Sequence, residues 1–236
     1  MSIKTVLMAA LACSGSLALP GMASASVTIL DFAGAICGAT GTDACGSGSQ
    51  IGQSYGDTAG VIDVSYRSIT NATGVTYEPY LKHWGTGYGD LAHVAWGGTD
   101  ATNHQAEIVF TPAAGYEVAL LGFDFGCYQN RTSCQTLNYG IESLGGTAID
   151  AGALPTLYPG HGTLALGALY VSDGIRLVWG PDSYDVGLAN IAFDVRLIDG
   201  TPPPVVPEPA SWAMMIAGLG IVGSVLRRSR PRLAFA

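Results

Sequence analysis

The sequence predicts an all-β protein whose central domain is an antiparallel β-sandwich of the jelly-roll type. Three observations support this prediction. Short stretches alternate between apolar and polar residues, turn-forming Gly, Pro, Asn and Asp separate them at short intervals, and no long stretch repeats with the period of a capped helix. Because no helices alternate with the strands, a sandwich is favoured over a parallel sheet, with a barrel or a solenoid as alternatives.

Six stretches of the central domain are predicted to be strands. They lie at residues 27–32, 61–66, 106–110, 118–125, 175–179 and 188–195. The 33 glycines of the chain suit the tight turns between such strands. Segments 172–179 and 186–194 resemble the closing strands of galactose-binding-like and other secreted jelly rolls, a resemblance that bears on the fold alone.

Residues 1–25 have the features of a secretory signal peptide. Lys4 provides the positive charge, an uncharged and mostly apolar run extends from residue 6 to residue 19, and residues 23–25 read Ala-Ser-Ala, a small-x-small cleavage site. The alternatives are a retained signal anchor and a lipoprotein acylated at Cys13. The exported domain is then predicted to span residues 26–200.

The C-terminal end is predicted to enter a membrane. Residues 201–209 form a proline-rich linker, residues 210–226 carry no charge and predict a transmembrane helix, and residues 227–236 form a basic tail. Because basic residues stay on the cytoplasmic side, everything before the helix is predicted to lie outside the cytoplasm. An ordinary C-terminal anchor is the alternative interpretation.

The order of these C-terminal features resembles the PEP-CTERM sorting signal. The residues that match the motif are Val206, Pro207, Glu208 and Pro209 before the apolar helix, and Arg227 and Arg228 after it. The resemblance implies recognition by an exosortase, a membrane-embedded enzyme that removes the helix. It further implies transfer to the cell envelope, the cell surface or the extracellular matrix, often beside exopolysaccharide production.

The charge of the chain excludes one class of partner. The formal net charge is −8, and five of the ten basic side chains lie in the predicted signal peptide and tail, so the central domain is more acidic than the chain as a whole. A strongly acidic domain repels phosphate backbones and anionic lipid surfaces. Nucleic acid is therefore not a predicted partner, whereas divalent cations are compatible with this charge.

Four of the five cysteines lie in the central domain, in two local pairs. The pairs are Cys37 with Cys45 and Cys127 with Cys134. Four cysteines allow three pairings, and an exported chain favours disulfides, here the local ones. A zinc site is the rival interpretation, but the spacing lacks a CxxC pair and no histidine lies close in the sequence.

An aromatic-rich segment between residues 66 and 96 contains the candidate ligand-binding residues. They are Tyr77, Tyr80, Trp84 and Tyr88. Sugars stack their C–H faces on exposed aromatic rings, while neighbouring carboxylates and amides bind the hydroxyls. The alternative is that these rings fill the core of the sandwich.

Calcium is a possible ligand of the acidic domain, and no other cofactor is predicted. Asp31 on the first predicted strand and Asp194 on the last would supply carboxylate oxygens if those strands pair. Asp43 and Asp57 are the next candidates. The alternative is a solvated acidic surface, because the chain lacks an EF-hand-like string.

No pattern in the sequence indicates catalysis. Residues 52–56 match the G-x-S-x-G form of a hydrolase elbow, but a Gly/Ser-rich loop precedes them where the elbow needs a strand. A non-enzymatic structural or adhesive protein of a biofilm matrix is therefore predicted, with signal peptidase, an exosortase and polysaccharide as partners. A carbohydrate-binding module is the first alternative, and a secreted glycosidase or polysaccharide lyase is the second.

Overall fold

The computed structural model describes residues 27–71, 73–99 and 103–198, which form an all-β sandwich. This confirms the predicted fold class of the central domain. The strands of the described residues are β1 (Thr28–Leu30), β2 (Ile62–Thr70), β3 (Thr76–Glu78), β4 (Lys82–Trp84), β5 (Val94–Trp96), β6 (His104–Pro112), β7 (Tyr116–Cys127), β8 (Thr136–Ser143), β9 (Ala148–Pro155), β10 (Gly162–Ala165), β11 (Ile175–Gly180) and β12 (Val186–Leu197). A 3₁₀ turn at Thr132–Cys134 precedes β8.

The strands form two six-stranded antiparallel sheets. In the first sheet the order is β10-β7-β12-β5-β4, and β1 lies beside β5 along the same edge of β12. In the second sheet the order is β3-β2-β6-β11-β8-β9. All six predicted strands are present, as β1, β2, β6, β7, β11 and β12.

The chain crosses repeatedly between the two sheets from β5 to β12. These strands are ordered β5-β12-β7-β10 in the first sheet and β6-β11-β8-β9 in the second. Among these eight strands, from β5 to β12, paired neighbours are therefore mostly distant in the chain, and only β8 and β9 are both paired and consecutive. This order is the jelly-roll pattern, in which the sheets are closed by long crossovers rather than by successive hairpins.

The core lies between the two sheets and follows the period-two pattern of the strands. In β11 the side chains of Ile175, Leu177 and Trp179 are buried. Phe110 of the second sheet lies against Phe193 of the first, with 5.0 Å between ring centroids. Because alternate residues point to opposite faces, the intervening positions of the second sheet lie on its outer surface.

Two disulfides cross-link loops at the margin of the sandwich. Cys37 is bonded to Cys45, and Cys127 is bonded to Cys134. Both predicted local pairings are confirmed. The first closes a loop before β2, and the second closes the loop between β7 and β8.

The predicted signal peptide, proline-rich linker, membrane helix and basic tail all lie outside the described residues. Within the part of the chain that the structure describes, no helix has the length and apolarity needed to cross a membrane. The predictions for residues 1–25, 201–209, 210–226 and 227–236 therefore concern parts of the chain that the structure does not describe.

Alkaline pH is expected to destabilise the sandwich through Tyr55. Burial, opposed by the amide of Phe32 and reinforced by the carboxylate of Asp31, raises the pKa of Tyr55 from 10.0 to about 12. An unfolded chain releases this proton near pH 10, so between pH 10 and 12 only the folded chain keeps it, and the free energy of unfolding falls as pH rises. Urea unfolding across this window measures the slope.

A Tyr55→Phe variant provides the control for this titration. Its slope is expected to be smaller but not zero, because burial also raises the pKa of Tyr66 well above its usual value. An identical slope in the variant and the wild type would contradict the assignment to Tyr55.

Candidate functional site

A row of alternating charges crosses the outer face of the second sheet. Its members are Arg67 on β2, Glu107 on β6, Arg176 on β11 and Glu142 on β8. The strand register creates the row, because Arg67 lies opposite Glu107 and Arg176 lies opposite Glu142. Each residue lies between two buried neighbours along its strand, so the sheet itself aligns the four side chains.

Glu107 is the buried centre of this row, with 0% of its side chain exposed. One carboxylate oxygen accepts a hydrogen bond from Nε of Arg67, and the other accepts one from Nε of Arg176 at 2.5 Å. Arg176 also donates from Nη1 to Glu142 at 2.7 Å. Partial burial disfavours the charged form of Arg176, but the bonds to the two glutamates outweigh it and raise the pKa of the guanidinium.

A groove of about 380 Å³ lies beside the charged row, over strands β6, β8, β9 and β11. Its polar walls include the side chains of Gln105, Asn138, Glu142 and Arg176. Gly140 lies on β8, directly opposite Val178 of β11, and both line the groove. A Cβ atom added to residue 140 would have no neighbour within 4 Å, so the glycine leaves this part of the groove open.

A second depression of about 290 Å³ adjoins the groove. Asn138 and Gly180 line both, so the two form one continuous surface feature. The far side of the depression includes Ser133, in the loop closed by the Cys127–Cys134 disulfide. Asp185 accepts hydrogen bonds from Ser133 Oγ at 2.5 Å and from Arg131 at 3.0 Å, which fixes this loop against β12.

The aromatic residues predicted to bind a ligand do not form one face. Tyr77 is 44% exposed, and its ring lies against His104 with 4.1 Å between centroids. Tyr80 is half-buried and donates to Glu78 at 3.3 Å. These two rings lie near β3, on the opposite edge of the second sheet from β9.

Trp84 and Tyr88 belong instead to an aromatic cluster on the first sheet. Trp84 lies 5.6 Å from Tyr128 between ring centroids, and the hydroxyl of Tyr88 donates to the carbonyl of Tyr184 at 2.5 Å. Tyr88 is only 2% exposed, because it packs against neighbouring rings, as the alternative interpretation expects. A role of Tyr88 in ligand binding stays a prediction.

The predicted calcium ligands are held apart by the strand register. β1 pairs with β12 as the prediction requires, with Thr28 opposite Phe193 and Leu30 opposite Ile191. This register places Asp31 and Asp194 at opposite ends of the paired segment, roughly 13 Å apart along the strand. Asp31 instead accepts from Tyr55, and Asp194 accepts from Tyr170 at 2.5 Å. These strands therefore assemble no shared site, and calcium binding stays a prediction.

Sequence reasoning missed the environment of His83. One of its ring nitrogens lies within 4.8 Å of both sulfur atoms of the Cys37–Cys45 disulfide. The side chain is buried, and its Nε2 contacts Nδ1 of His93 at 3.1 Å. The histidine is 38 positions after Cys45, so no spacing pattern in the sequence links them and only the fold brings them together.

The sandwich and the sorting signal define a class of protein before any particular family is considered. The described residues form one disulfide-stapled β-sandwich with an outer-face groove. The C-terminal segment that follows this domain in the sequence contains the residues of the sorting signal. Together these features define an exported domain with a C-terminal sorting segment.

Comparison with known families identifies the motif in this C-terminal segment. Residues 205–230 match the family model of the PEP-CTERM protein-sorting motif. This motif match supports an exosortase substrate and indicates an exported protein that is sorted to the cell envelope. The match includes the motif residues 206–209 and both Arg227 and Arg228. No curated protein and no solved structure matches the chain.

Proposed function

We propose that this envelope-sorted sandwich is a non-enzymatic matrix protein that binds a neutral, hydroxyl-rich polysaccharide in the groove of its second sheet. The observation that carries the proposal is the groove of about 380 Å³ with amide, carboxylate and guanidinium groups along its walls. In this role the protein attaches to exopolysaccharide at the cell surface or in the biofilm matrix, and its function is structural or adhesive.

The polarity of the groove supports a saccharide as the ligand. The side chains of Gln105 and Asn138 offer both donors and acceptors, which match sugar hydroxyls in either direction. Val178 provides apolar surface for the C–H face of a sugar ring, and the missing side chain at Gly140 leaves space for that ring. The groove thus offers a saccharide both kinds of contact it makes with proteins.

The pairing of charges supports a neutral ligand over a charged one. Arg176 is bonded to Glu107 and Glu142, so its charge is already balanced within the protein. A free anionic sugar would have to compete with these carboxylates for the guanidinium. Hydroxyl groups can bind to the remaining donors and acceptors without breaking the ion pairs.

The same pairing supports binding rather than hydrolysis or elimination. A glycosidase needs one carboxylate to donate a proton and a second to act on the opposite face of the sugar. The two carboxylates that line the groove are both engaged within the protein: Glu142 accepts from Arg176, and Asp150 accepts from the Tyr139 hydroxyl and the Ala151 amide. Glu107, outside the groove lining, is closed to solvent and accepts from two arginines. The role of these carboxylates is therefore to fix neighbouring side chains on the surface of the sheet.

Blocking the groove is expected to weaken polysaccharide binding strongly. Gly140→Phe places a ring in the open space above β8, where an added Cβ meets nothing within 4 Å, so the fold should be kept. Affinity for neutral polysaccharides is expected to fall at least about tenfold, a loss of roughly 1.4 kcal/mol. Glycan-array screening of the 26–200 domain, followed by titration with the best ligand, measures this change.

Gly167→Phe is the matched control for this experiment. Gly167 is exposed in the segment between β10 and β11 and also has no neighbour within 4 Å of an added Cβ, but it lies outside the groove. This variant should bind as the wild type does. Equal binding by both glycine variants and the wild type, or no binding by the wild type, would overturn the groove as the site. Loss of binding in Tyr77→Ala alone would move the site to the exposed ring on β3.

A further inference from the structure

The Cys37–Cys45 disulfide lies in a cluster of metal-ligating side chains that the polysaccharide groove does not include. The two sulfur atoms and one ring nitrogen of His83 lie within 4.8 Å of one another. Cys37 and His83 are buried, and Cys45 is partly exposed. Among the described residues, no comparable histidine accompanies the second disulfide.

Backbone hydrogen bonds hold this cluster together independently of the disulfide. Cys37 exchanges two backbone bonds with Asp43, at 3.0 and 2.9 Å. The backbone of His83 donates to Ser49 at 2.8 Å and accepts from Gly48 at 2.7 Å, which joins the loop to β4. Opening the S–S bond therefore leaves both cysteines beside the histidine.

We propose that Cys37, Cys45 and His83 form a redox-gated zinc site, which binds Zn²⁺ when the disulfide is reduced. Two thiolates and one imidazole are ligands that zinc accepts, and water completes a tetrahedral shell. Ligand atoms about 2.0–2.3 Å from a common ion lie roughly 3.5 Å apart, so the observed cluster needs movements of about 1 Å. In the disulfide form, Nδ1 of His83 contacts the Gly46 carbonyl and Nε2 contacts His93, each at 3.1 Å, so the nitrogen that binds zinc exchanges one of these contacts for the ion while the other contact orients the ring.

The redox step is balanced by thiol–disulfide chemistry. A dithiol gives two electrons and two protons to the S–S bond, and it becomes a disulfide while Cys37 and Cys45 become thiols. Zn²⁺ then replaces the two thiol protons, which pass to solvent. A small-molecule disulfide oxidant reverses the sequence: it accepts two electrons, the S–S bond forms again and the ion is released.

Cobalt titration tests the site, because Co²⁺ replaces zinc in tetrahedral thiolate sites and absorbs light when thiolates bind it. The exported protein is reduced with a dithiol, freed of reductant without air and titrated with Co²⁺ and then Zn²⁺. One ion per chain is expected, with a thiolate-to-cobalt charge-transfer band that zinc abolishes. The oxidised protein should show no band.

Matched variants separate this cluster from the other thiols. A variant with Cys127→Ser and Cys134→Ser should bind one Co²⁺ as the wild type does, whereas Cys37→Ser with Cys45→Ser should bind none. His83→Gln should lower the affinity at least about tenfold. Urea-unfolded protein should lose the band, because the three ligands are then no longer held together.

Three results would overturn the zinc site. They are no band in the reduced wild type, loss of the band in the Cys127/Cys134 double variant, or equal affinity in urea. If His83→Gln unfolds, as its circular dichroism would reveal, His93→Gln serves in its place. That change keeps all three ligands, so the band should remain with a shifted position, and an unchanged spectrum would argue against the cluster.

Discussion

Replacing Glu208 with alanine is expected to leave the exported precursor unprocessed in the membrane. Glu208 lies within the matched residues 205–230 of the sorting motif, between Pro207 and Pro209. Proline residues favour an extended backbone, and a single charged side chain between two of them is a distinctive group for a processing enzyme to recognise. Loss of that group should reduce the mature envelope form to a trace.

Intact-mass analysis of the envelope fraction measures this effect directly. Wild-type protein is expected to lack residues 212–226, whereas the Glu208→Ala variant should retain them. Thr201→Ala is the matched control, since residue 201 precedes the motif and its change should leave processing intact. A mature wild-type species that still contains Trp212 would contradict removal of the tail, and normal processing of Glu208→Ala would contradict the role of Glu208.

Replacing Trp179 with alanine is expected to cause the largest loss of stability in the sandwich. Trp179 is fully buried between the sheets, and its Nε1 donates to the carbonyl of Val186, the first residue of β12, at 2.9 Å. Truncation opens a large cavity and leaves that carbonyl without its partner. Substitutions of this kind cost about 3–5 kcal/mol, enough to lower the melting temperature by about 10 °C.

Trp179→Phe separates packing from hydrogen bonding at this position. It keeps most of the aromatic volume and loses the N–H donor, so the expected loss is only about 1–2 kcal/mol. Urea unfolding of the two variants and the wild type gives the comparison. A Trp179→Ala variant as stable as the wild type would mean that Trp179 does not join the two sheets.

The fold class was predictable because its signals are local. Strands β2, β6, β7, β11 and β12 contain long apolar alternations with branched and aromatic residues, and each was predicted within a few residues of its observed position. Turn residues between them excluded long helices. These features act within a few positions of the chain, so one sequence is enough to detect them.

The remaining strands were not predictable for the opposite reason. β9 reads AIDAGALP and β10 reads GTLA, so glycine and alanine weaken the strand pattern. β4 and β5 have only three residues each. These segments become strands because β8, β7 and β12 offer them unpaired edges, and that depends on the completed sandwich.

The candidate sites show the same division between local and distant relationships. Cys37 and Cys45 lie eight positions apart, so their bond was predictable from spacing. Arg176 and Glu107 lie 69 positions apart, and only the register of β11 on β6 brings them into contact. The sequence did not distinguish exposed from buried aromatic rings: Tyr77 is 44% exposed and Tyr88 only 2%, and tertiary packing decides which is which.

The local sequence was enough to predict envelope sorting, the two disulfide pairings and the class of fold. Each of these rests on short motifs or on a period of two residues, which the chain contains before it folds. The tertiary structure alone decided the charged row, the groove and the position of His83 beside a disulfide. Those features arise from the register of distant strands, and register is set by the packing of the whole core, since sliding one strand by one residue would turn its buried side chains to solvent.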